Sequence, residues 1–285
     1  MASQFELDCA LMAGTSYYDT RDGNNRLPAP LGWMKIENPD SHVSNRNSGF
    51  EAVAFQQDTE IVISFAGTYD KSLADKAADA ALASGLGTMQ LYEAAQYYLV
   101  VKEANPGATI SFTGHSLGGG LAALMGVMFD RAAVTFDQAP FANAASTSVR
   151  DGVIAYLNDK GYCAERLNEL APELLVYAGG NDRVGKVTGQ YVTGELLHTP
   201  PFSAFSTLGM QSPIIHGGDA AAGDLHSQAL LTAFLQSPAF QEMTTRLSSE
   251  PFNSRMLIAA ASQAVPSAKR IASMPPGLKS LPLAK

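Results

Sequence analysis

Apolar and polar positions along the chain alternate in blocks that predict a sheet with an antiparallel start. Three extended segments come first, separated by polar or turn-rich stretches, as is typical of strands joined by short connections: residues 34–37, 50–55 and 60–65. Helical periodicity then runs from about Thr88 to Glu103 and stops at Asn105, which precedes a Pro-Gly pair.

The second half of the chain repeats strand and helix patterns. Predicted strands are residues 108–113, 132–136 and 173–178, and predicted helices are residues 117–126, about 148–158 and 227–235. Strands that alternate with helices favour a mostly parallel central sheet with helices on both faces. The predicted fold class is therefore α/β.

Length and composition indicate one large domain. The 285 residues are 46% hydrophobic and 16% charged, enough to bury a sizeable core. We expect the α/β domain to cover residues 1–250. Residues 251–285 hold five basic side chains, no acidic one and four prolines, which predicts a basic, poorly ordered tail.

Net charge and the lack of targeting signals limit the partners and the cellular locations that we expect. A formal net charge of −8 and a pI of about 5.1 speak against nucleic acid as a partner. The N-terminal residues lack the basic start and apolar core of a secretory signal, and no stretch is apolar for long enough to span a membrane. The expected location is the cytoplasm, or outside the cell by a route that needs no signal peptide. Two cysteines, Cys9 and Cys163, form neither a disulfide framework nor a zinc motif, and no cofactor is expected.

Residues 114–118 read Gly-His-Ser-Leu-Gly between a predicted strand and a predicted helix. A serine hydroxyl becomes a good nucleophile when a sharp strand-to-helix turn lifts it clear of the backbone toward a base, and flanking glycines let that turn form. Ser116 is therefore the candidate nucleophile. The pattern alone is short and also fits a glycine-rich turn without chemistry, so the strand before it and the helix after it carry the prediction.

A nucleophilic serine needs a histidine base and a carboxylate that orients the base, in the chain order Ser, acid, His for the α/β-hydrolase topology. Asp182, in a glycine-rich loop after the predicted strand 173–178, is the preferred acid, and Asp137 is the alternative. His226, before the last predicted helix, is the preferred base. His216 and His198 remain alternatives.

The negative charge that develops in acyl transfer needs an oxyanion hole. The strand ending at Phe65 leads into Ala66-Gly67-Thr68, which offers the backbone amide and hydroxyl of Thr68. The amide of Leu117, directly after the nucleophile, is the second predicted donor.

These motifs together resemble the class 3 lipases, the family of the filamentous-fungal triacylglycerol lipases and many bacterial lipase-like proteins. The resemblance runs from about Gly49 to Leu235 and is most specific at Gly-His-Ser-Leu-Gly-Gly. It implies an α/β-hydrolase fold and the triad Ser116, Asp182 and His226, with Thr68 in the oxyanion hole. The chain departs from the family at Ala66, where an arginine is usual.

The resemblance implies a serine hydrolase that cleaves carboxylic ester bonds of lipids, as a triacylglycerol lipase or a phospholipase A, with transient contact to a lipid surface. A soluble carboxylesterase or acyltransferase with the same triad, and an inactive lipid-binding module, are the alternatives. The family's lid is not evident: residues 69–87 or the apolar segment 192–215, in which Glu195 is the only charge, are both candidates.

Overall fold

The computed structural model describes residues 2–17, 25–37, 39–67, 86–180, 182–216 and 220–237. In this part of the chain eight strands form one sheet in the order β1-β3-β4-β5-β6-β7-β8, with β2 also paired to β3. The strands are β1 (Met34–Lys35), β2 (His42–Asn45), β3 (Phe50–Gln57), β4 (Glu60–Phe65), β5 (Thr109–His115), β6 (Ala133–Phe136), β7 (Val187–Val192) and β8 (Met210–Ile214).

The sheet changes direction at β4. Strands β1 and β2 pair antiparallel with β3, and β3 pairs antiparallel with β4, whereas β4 through β8 are all parallel neighbours. The antiparallel start and the parallel remainder predicted from the sequence are therefore confirmed. Because parallel strands end at the same edge, the loops after β4 to β8 meet along one side of the sheet.

Helices cover both faces of the sheet. They are α1 (Gln4–Thr15), α2 (Leu86–Ala104), α3 (Leu117–Met128), α4 (Thr147–Asp159), α5 (Ala164–Leu170), α6 (Pro172–Leu175), α7 (Ala222–Leu225) and α8 (Gln228–Gln236). Helices α2 and α3 pack on one face, over side chains such as Ile61 and Phe112. Helices α1 and α8 pack on the other face, over Val62 and Phe136. This arrangement confirms the predicted α/β-hydrolase fold.

The predicted strand 173–178 is wrong. Pro172 stands in the first helical position of α6, with Glu173 in the first turn, so the segment begins as a short helix. Leu174 and Tyr177 are buried, but Val176 between them is 70% exposed, which a strand buried on both faces would not allow. The strand that pairs with β6 is β7, and β8 follows it at the edge.

The N-terminal helix α1 was not predicted, although its start carries a capping box. The Ser3 hydroxyl accepts a hydrogen bond from the Glu6 amide, and the Glu6 carboxylate accepts one from the Ser3 amide. Within the described ranges, no helix is long and apolar enough to cross a membrane. The predicted tail 251–285 lies outside the described residues.

Candidate active site

Ser116 stands at a sharp turn between β5 and α3. Its φ of 60° and ψ of −127° are unusual for a residue with a side chain, a conformation that costs on the order of 1–3 kcal/mol. The amide of Ser116 donates to the Phe136 carbonyl at 3.0 Å, and its carbonyl accepts from Gly120 at 3.1 Å and Ala139 at 3.0 Å. The strained backbone is thus held at three points, as a nucleophile at a strand-to-helix turn requires.

Glycines beside the turn are needed for space. A Cβ at Gly118 would lie 2.1 Å from the Phe65 carbonyl oxygen, and one at Gly114 would lie 2.4 Å from the Gly118 carbonyl carbon. Since real Cβ atoms do not approach so closely, α3 can sit this near β4 and β5 only with glycine at both positions. The close packing expected from the motif is therefore present.

His226 lies between α7 and α8, and its ring faces the turn. Its Nε2 is 2.9 Å from Ser116 Oγ, and its Nδ1 is 2.6 Å from Glu195 Oε2. The three residues are almost fully buried, at 4%, 3% and 0% exposure for His226, Ser116 and Glu195. The structure therefore brings together a hydroxyl, an imidazole and a carboxylate in the geometry of a serine hydrolase triad.

Glu195 follows β7 by a short turn, at the edge of the sheet where Ser116 lies. Its Oε2 also accepts a hydrogen bond from the Leu197 amide at 2.8 Å, and its Oε1 contacts Nδ1 of His198. Burial alone would raise the pKa of Glu195. The charge of His226 and the hydrogen bonds from both histidines outweigh that effect and bring the pKa to about 2. The carboxylate is therefore ionised at every pH at which a histidine can act as a base.

The structure does not bring Asp182, the acid preferred from the sequence, to His226. Its carboxylate lies 3.5 Å from the Ala178 amide and 3.5 Å from Nε of Arg183. Arg183 in turn donates to the carbonyl of Met128, the last residue of α3. Since Ser116 precedes the first residue of this 12-residue helix, about 18 Å of helix lies between the two ends. The incorrect prediction of a strand over residues 173–178 explains why Asp182 was preferred. A parallel strand there would have placed Asp182 at the same edge of the sheet as Ser116.

One sequence signal pointed to Glu195. It is the only charged residue in the apolar segment 192–215, and a buried lone carboxylate needs partners to offset its desolvation. Most large apolar side chains of that segment are buried in the two cores, among them Leu197, Phe202 and Leu208. The segment thus contributes to the core at these positions, whereas Met210 and Ile215 are exposed. The other candidate lid, residues 69–87, lies mostly outside the described residues.

A phospholipase family model matches residues 8–199, about two thirds of the sequence, and it is described as a Tle-like phospholipase domain. The chain belongs to this family. The lipase resemblance inferred from the sequence is therefore confirmed at the level of the family. Among proteins with curated descriptions, none matches the sequence.

Solved structures similar to this chain include lipases from fungi. Lip2 lipase from Yarrowia lipolytica matches with a TM-score of 0.45 and 17% identity over 75% of this chain and 79% of the lipase. A triacylglycerol lipase from Penicillium expansum has a TM-score of 0.41 and 9% identity over 75% and 79% of the two chains. Lipase II from Rhizopus niveus has a TM-score of 0.43 and 18% identity over 74% and 80%.

Next to the triad of this phospholipase-like domain lies a second chain of polar groups. The Tyr17 hydroxyl is 2.6 Å from His115 Nδ1, and His115 Nε2 is 3.6 Å from Asp137 Oδ2. Burial, with repulsion from His226, lowers the pKa of His115 well below its usual value. Burial, with the charge of Glu195, raises the pKa of Asp137 well above its usual value. Burial therefore favours the uncharged form of both groups, and Glu195 holds the negative charge.

Asp137, the alternative acid, does not touch His226. Its Oδ1 accepts a hydrogen bond from the Val192 amide at 3.0 Å, and its Oδ2 faces His115. His216, an alternative base, stacks against Phe234 with ring centroids 5.8 Å apart. The remaining alternative base, His198, is the second imidazole on Glu195. Of the three histidines considered from the sequence, His226 is the one that contacts Ser116.

One set of buried side chains in the described ranges could hold a metal ion: His115, Asp137 and His226, with ligand atoms within 4.8 Å of one another. Both ring nitrogens of His226 already have partners, Ser116 and Glu195. Metal coordination by His226 would therefore break a contact of the triad.

Of the two residues predicted to donate to the oxyanion, the structure describes Leu117 but not Thr68. Leu117 begins α3, and the first amides of a helix lack acceptors within the helix, so its N–H is available beside Ser116. Gly67 is the last described residue before Thr68. A Cβ added at Gly67 would lie 2.1 Å from the Tyr17 hydroxyl oxygen. Thr68 lies outside the described residues.

Proposed function

We propose that this protein hydrolyses carboxylic ester bonds of lipids through an acyl-Ser116 intermediate. The observation that carries the proposal is the position of His226, with Nε2 at 2.9 Å from Ser116 Oγ and Nδ1 at 2.6 Å from Glu195 Oε2. Glu195 takes the role that was predicted for Asp182. Membership of a phospholipase family supports the same chemistry.

In the proposed reaction His226 Nε2 removes the hydroxyl proton as Ser116 Oγ attacks the ester carbonyl. The tetrahedral intermediate collapses, the bond to the alcohol oxygen breaks, and the imidazolium returns the proton to that oxygen. Water then attacks the acyl-serine with His226 again as base, which releases the fatty acid and restores the Ser116 hydroxyl. Glu195 keeps the Nδ1 proton in place and stabilises the imidazolium in both steps.

The oxyanion of both tetrahedral intermediates is proposed to accept hydrogen bonds from the Leu117 amide and from Thr68. The N-terminus of α3 adds the positive end of a helix dipole at the same place. Preorganised donors of this kind are worth about 3–4 kcal/mol each in serine hydrolases.

The proposed substrate class is a long-chain phospholipid or acylglycerol. The family name favours a phospholipid. Ile215, directly after β8, is 63% exposed at the edge of the sheet where Ser116 lies. An exposed apolar side chain at the edge of the sheet that carries the proposed ester-cleaving site suits transient contact with a lipid surface.

Activity-based labelling tests the proposal most directly. A fluorophosphonate probe should label the wild-type protein at Ser116 and should not label Ser116→Ala. A panel of phospholipids, triacylglycerols and short soluble esters then identifies the substrate. Absence of labelling would favour an inactive lipid-binding module. Labelling with turnover of short esters alone would favour a soluble carboxylesterase or acyltransferase.

A further inference from the structure

The carboxylate of Glu195 carries two imidazoles. Its Oε2 contacts Nδ1 of His226, and its Oε1 contacts Nδ1 of His198. The His198 ring stacks flat against Tyr191, with centroids 3.9 Å apart and planes 6° apart. Orienting a catalytic imidazole requires one carboxylate oxygen, so the histidine on the other oxygen needs a separate explanation.

The carboxylate of Glu195 has two contacts besides the one with His198. Glu195 is fixed at Oε2 by His226 and by the Leu197 amide, at 2.6 Å and 2.8 Å. His198 also differs from His226 in its access to water, because its side chain is 20% exposed whereas that of His226 is 1% exposed. His198 is therefore the more solvent-accessible of the two imidazoles on Glu195.

We propose that His198 is a positioning residue that acts through Glu195 and sets the lower limit of pH at which His226 can accept the Ser116 proton. The inference rests on the proposed function, since it assumes that His226 is the base. It concerns the electrostatics of the carboxylate and requires no contact between His198 and the substrate.

The direction of the effect follows from one negative charge shared by two donors. A hydrogen bond at Oε1, or a positive charge on His198, reduces the negative potential that Glu195 presents to His226. Protonated His226 is then stabilised less, so the ring remains neutral to lower pH. Neutral imidazole is the form that acts as a base. His198 therefore extends activity toward acidic pH.

Other titratable groups lie close to this cluster. Tyr191 comes from β7, Asp224 from α7, which packs against the turn that contains His198, and Asp137 and His115 from the ends of β6 and β5. All four are unchanged in the variants proposed below. Differences between variants therefore report on His198.

Two substitutions separate the hydrogen bond from the charge. His198→Phe keeps a flat ring against Tyr191 and removes both the donor and the charge. His198→Asn keeps an N–H donor at about the reach of Nδ1 and removes the charge together with the ring that stacks on Tyr191. The control His42→Phe breaks another imidazole–carboxylate pair, between His42 and Glu51 at 2.7 Å. His42 lies on β2, about 14 Å across the sheet from β5, and Glu51 lies on β3, about 10 Å from β5.

The experiment measures kcat/KM for a short soluble ester from pH 4.5 to 9 for the full chain and each variant. For His198→Phe we expect the acidic limb to move to higher pH by about 0.5 to 1 unit, with His198→Asn between this variant and wild type. For His42→Phe the limb should stay in place. Thermal unfolding confirms that each variant is folded.

A merely structural role of His198 would lower kcat/KM equally at all pH values without moving the limb, and that result would overturn the inference. A histidine NMR titration, without substrate, keeps this outcome separate from failure of the proposed function. If His226 titrates at higher pH in His198→Phe but the wild type takes no fluorophosphonate label, the proposed function fails and the coupling stands. If labelling succeeds and His226 titrates as in wild type, the inference alone fails.

Discussion

Nδ1 of His226 and Oε2 of Glu195 lie 2.6 Å apart, on the side of the imidazole opposite Ser116. A neutral histidine has one N–H, and this contact assigns it to Nδ1 because a carboxylate can only accept. The lone pair of Nε2 is therefore directed at the Ser116 hydroxyl. The roles proposed for the three residues lead to separable experimental outcomes.

The acid is tested by a matched pair of substitutions. Glu195→Gln removes the negative charge that stabilises the imidazolium, and it should lower kcat by about 10³- to 10⁴-fold, as in other triads that lose the acid. Asp182→Asn changes a carboxylate at the far end of α3 and should leave kcat within about twofold. Steady-state kinetics on one ester decides between them. The opposite pattern would restore Asp182 as the acid.

The nucleophile is tested by Ser116→Ala. Loss of the hydroxyl leaves only binding and oxyanion stabilisation, and in well-studied triads such losses reach about 10⁶-fold in turnover. The variant should unfold at nearly the wild-type temperature, since the turn is held by backbone hydrogen bonds. More than a tenth of wild-type activity in folded, uncontaminated Ser116→Ala would rule out the assignment.

The base is tested by comparing two buried histidines. His226→Ala should abolish both ester hydrolysis and fluorophosphonate labelling of Ser116, because no other group then takes the hydroxyl proton. His216→Ala removes a ring that packs on Phe234 and should lower the unfolding temperature with labelling retained. Labelling yield and thermal unfolding of both variants provide the readout. Loss of labelling in His216→Ala, with labelling retained in His226→Ala, would identify His216 as the base.

Asp137→Asn should be tolerated and should change the pH dependence of stability. Burial, with the charge of Glu195, raises the pKa of Asp137 well above 3.8, so the folded state holds a proton that the unfolded state releases. The stability that this proton contributes is complete below about pH 4 and is lost as the pH rises toward the folded pKa. An amide cannot ionise, and Asn accepts the φ of 41° at this position.

Thermal unfolding at pH 5 and pH 8 measures this effect. The unfolding temperature of Asp137→Asn relative to wild type should be higher at pH 8 than at pH 5, by about 2–4 °C for each kcal/mol of coupling. Glu195, with its pKa of about 2, stays ionised at both pH values and does not contribute to the difference. A large loss of kcat in folded Asp137→Asn would show instead that the ionised carboxylate is needed.

Substrate presentation is tested with lipids below and above their aggregation point. We expect turnover of long-chain phospholipid or glyceride esters to rise when micelles or vesicles form, since an exposed apolar side chain such as Ile215 can then enter the lipid surface. Ile215→Ser should reduce the rate on vesicles more than the rate on a soluble short-chain ester. An equal reduction of the rate on both substrates would show that Ile215 does not contact the lipid surface.

The local pattern of the sequence determined the nucleophile turn and much of the sheet. Strand β5, the Gly-His-Ser-Leu-Gly turn and helix α3 depend on interactions between residues close in sequence, and their apolar runs and glycines are visible without a structure. The antiparallel start through β3 and β4 follows for the same reason. His226 was accessible through the order of triad residues along the chain.

Only the tertiary structure decided which carboxylate meets His226. Residues 173–178 form the more apolar run, whereas residues 187–192 read Val-Thr-Gly-Gln-Tyr-Val, and both precede a loop with an acid. Segments this short do not distinguish a strand from a helical turn. Pairing of β7 with β6 brings Glu195 to the edge of Ser116, whereas contacts of Arg183 hold Asp182 near the other end of α3. Pairing across the sheet is a long-range interaction. No local pattern encodes which of the two segments pairs with β6.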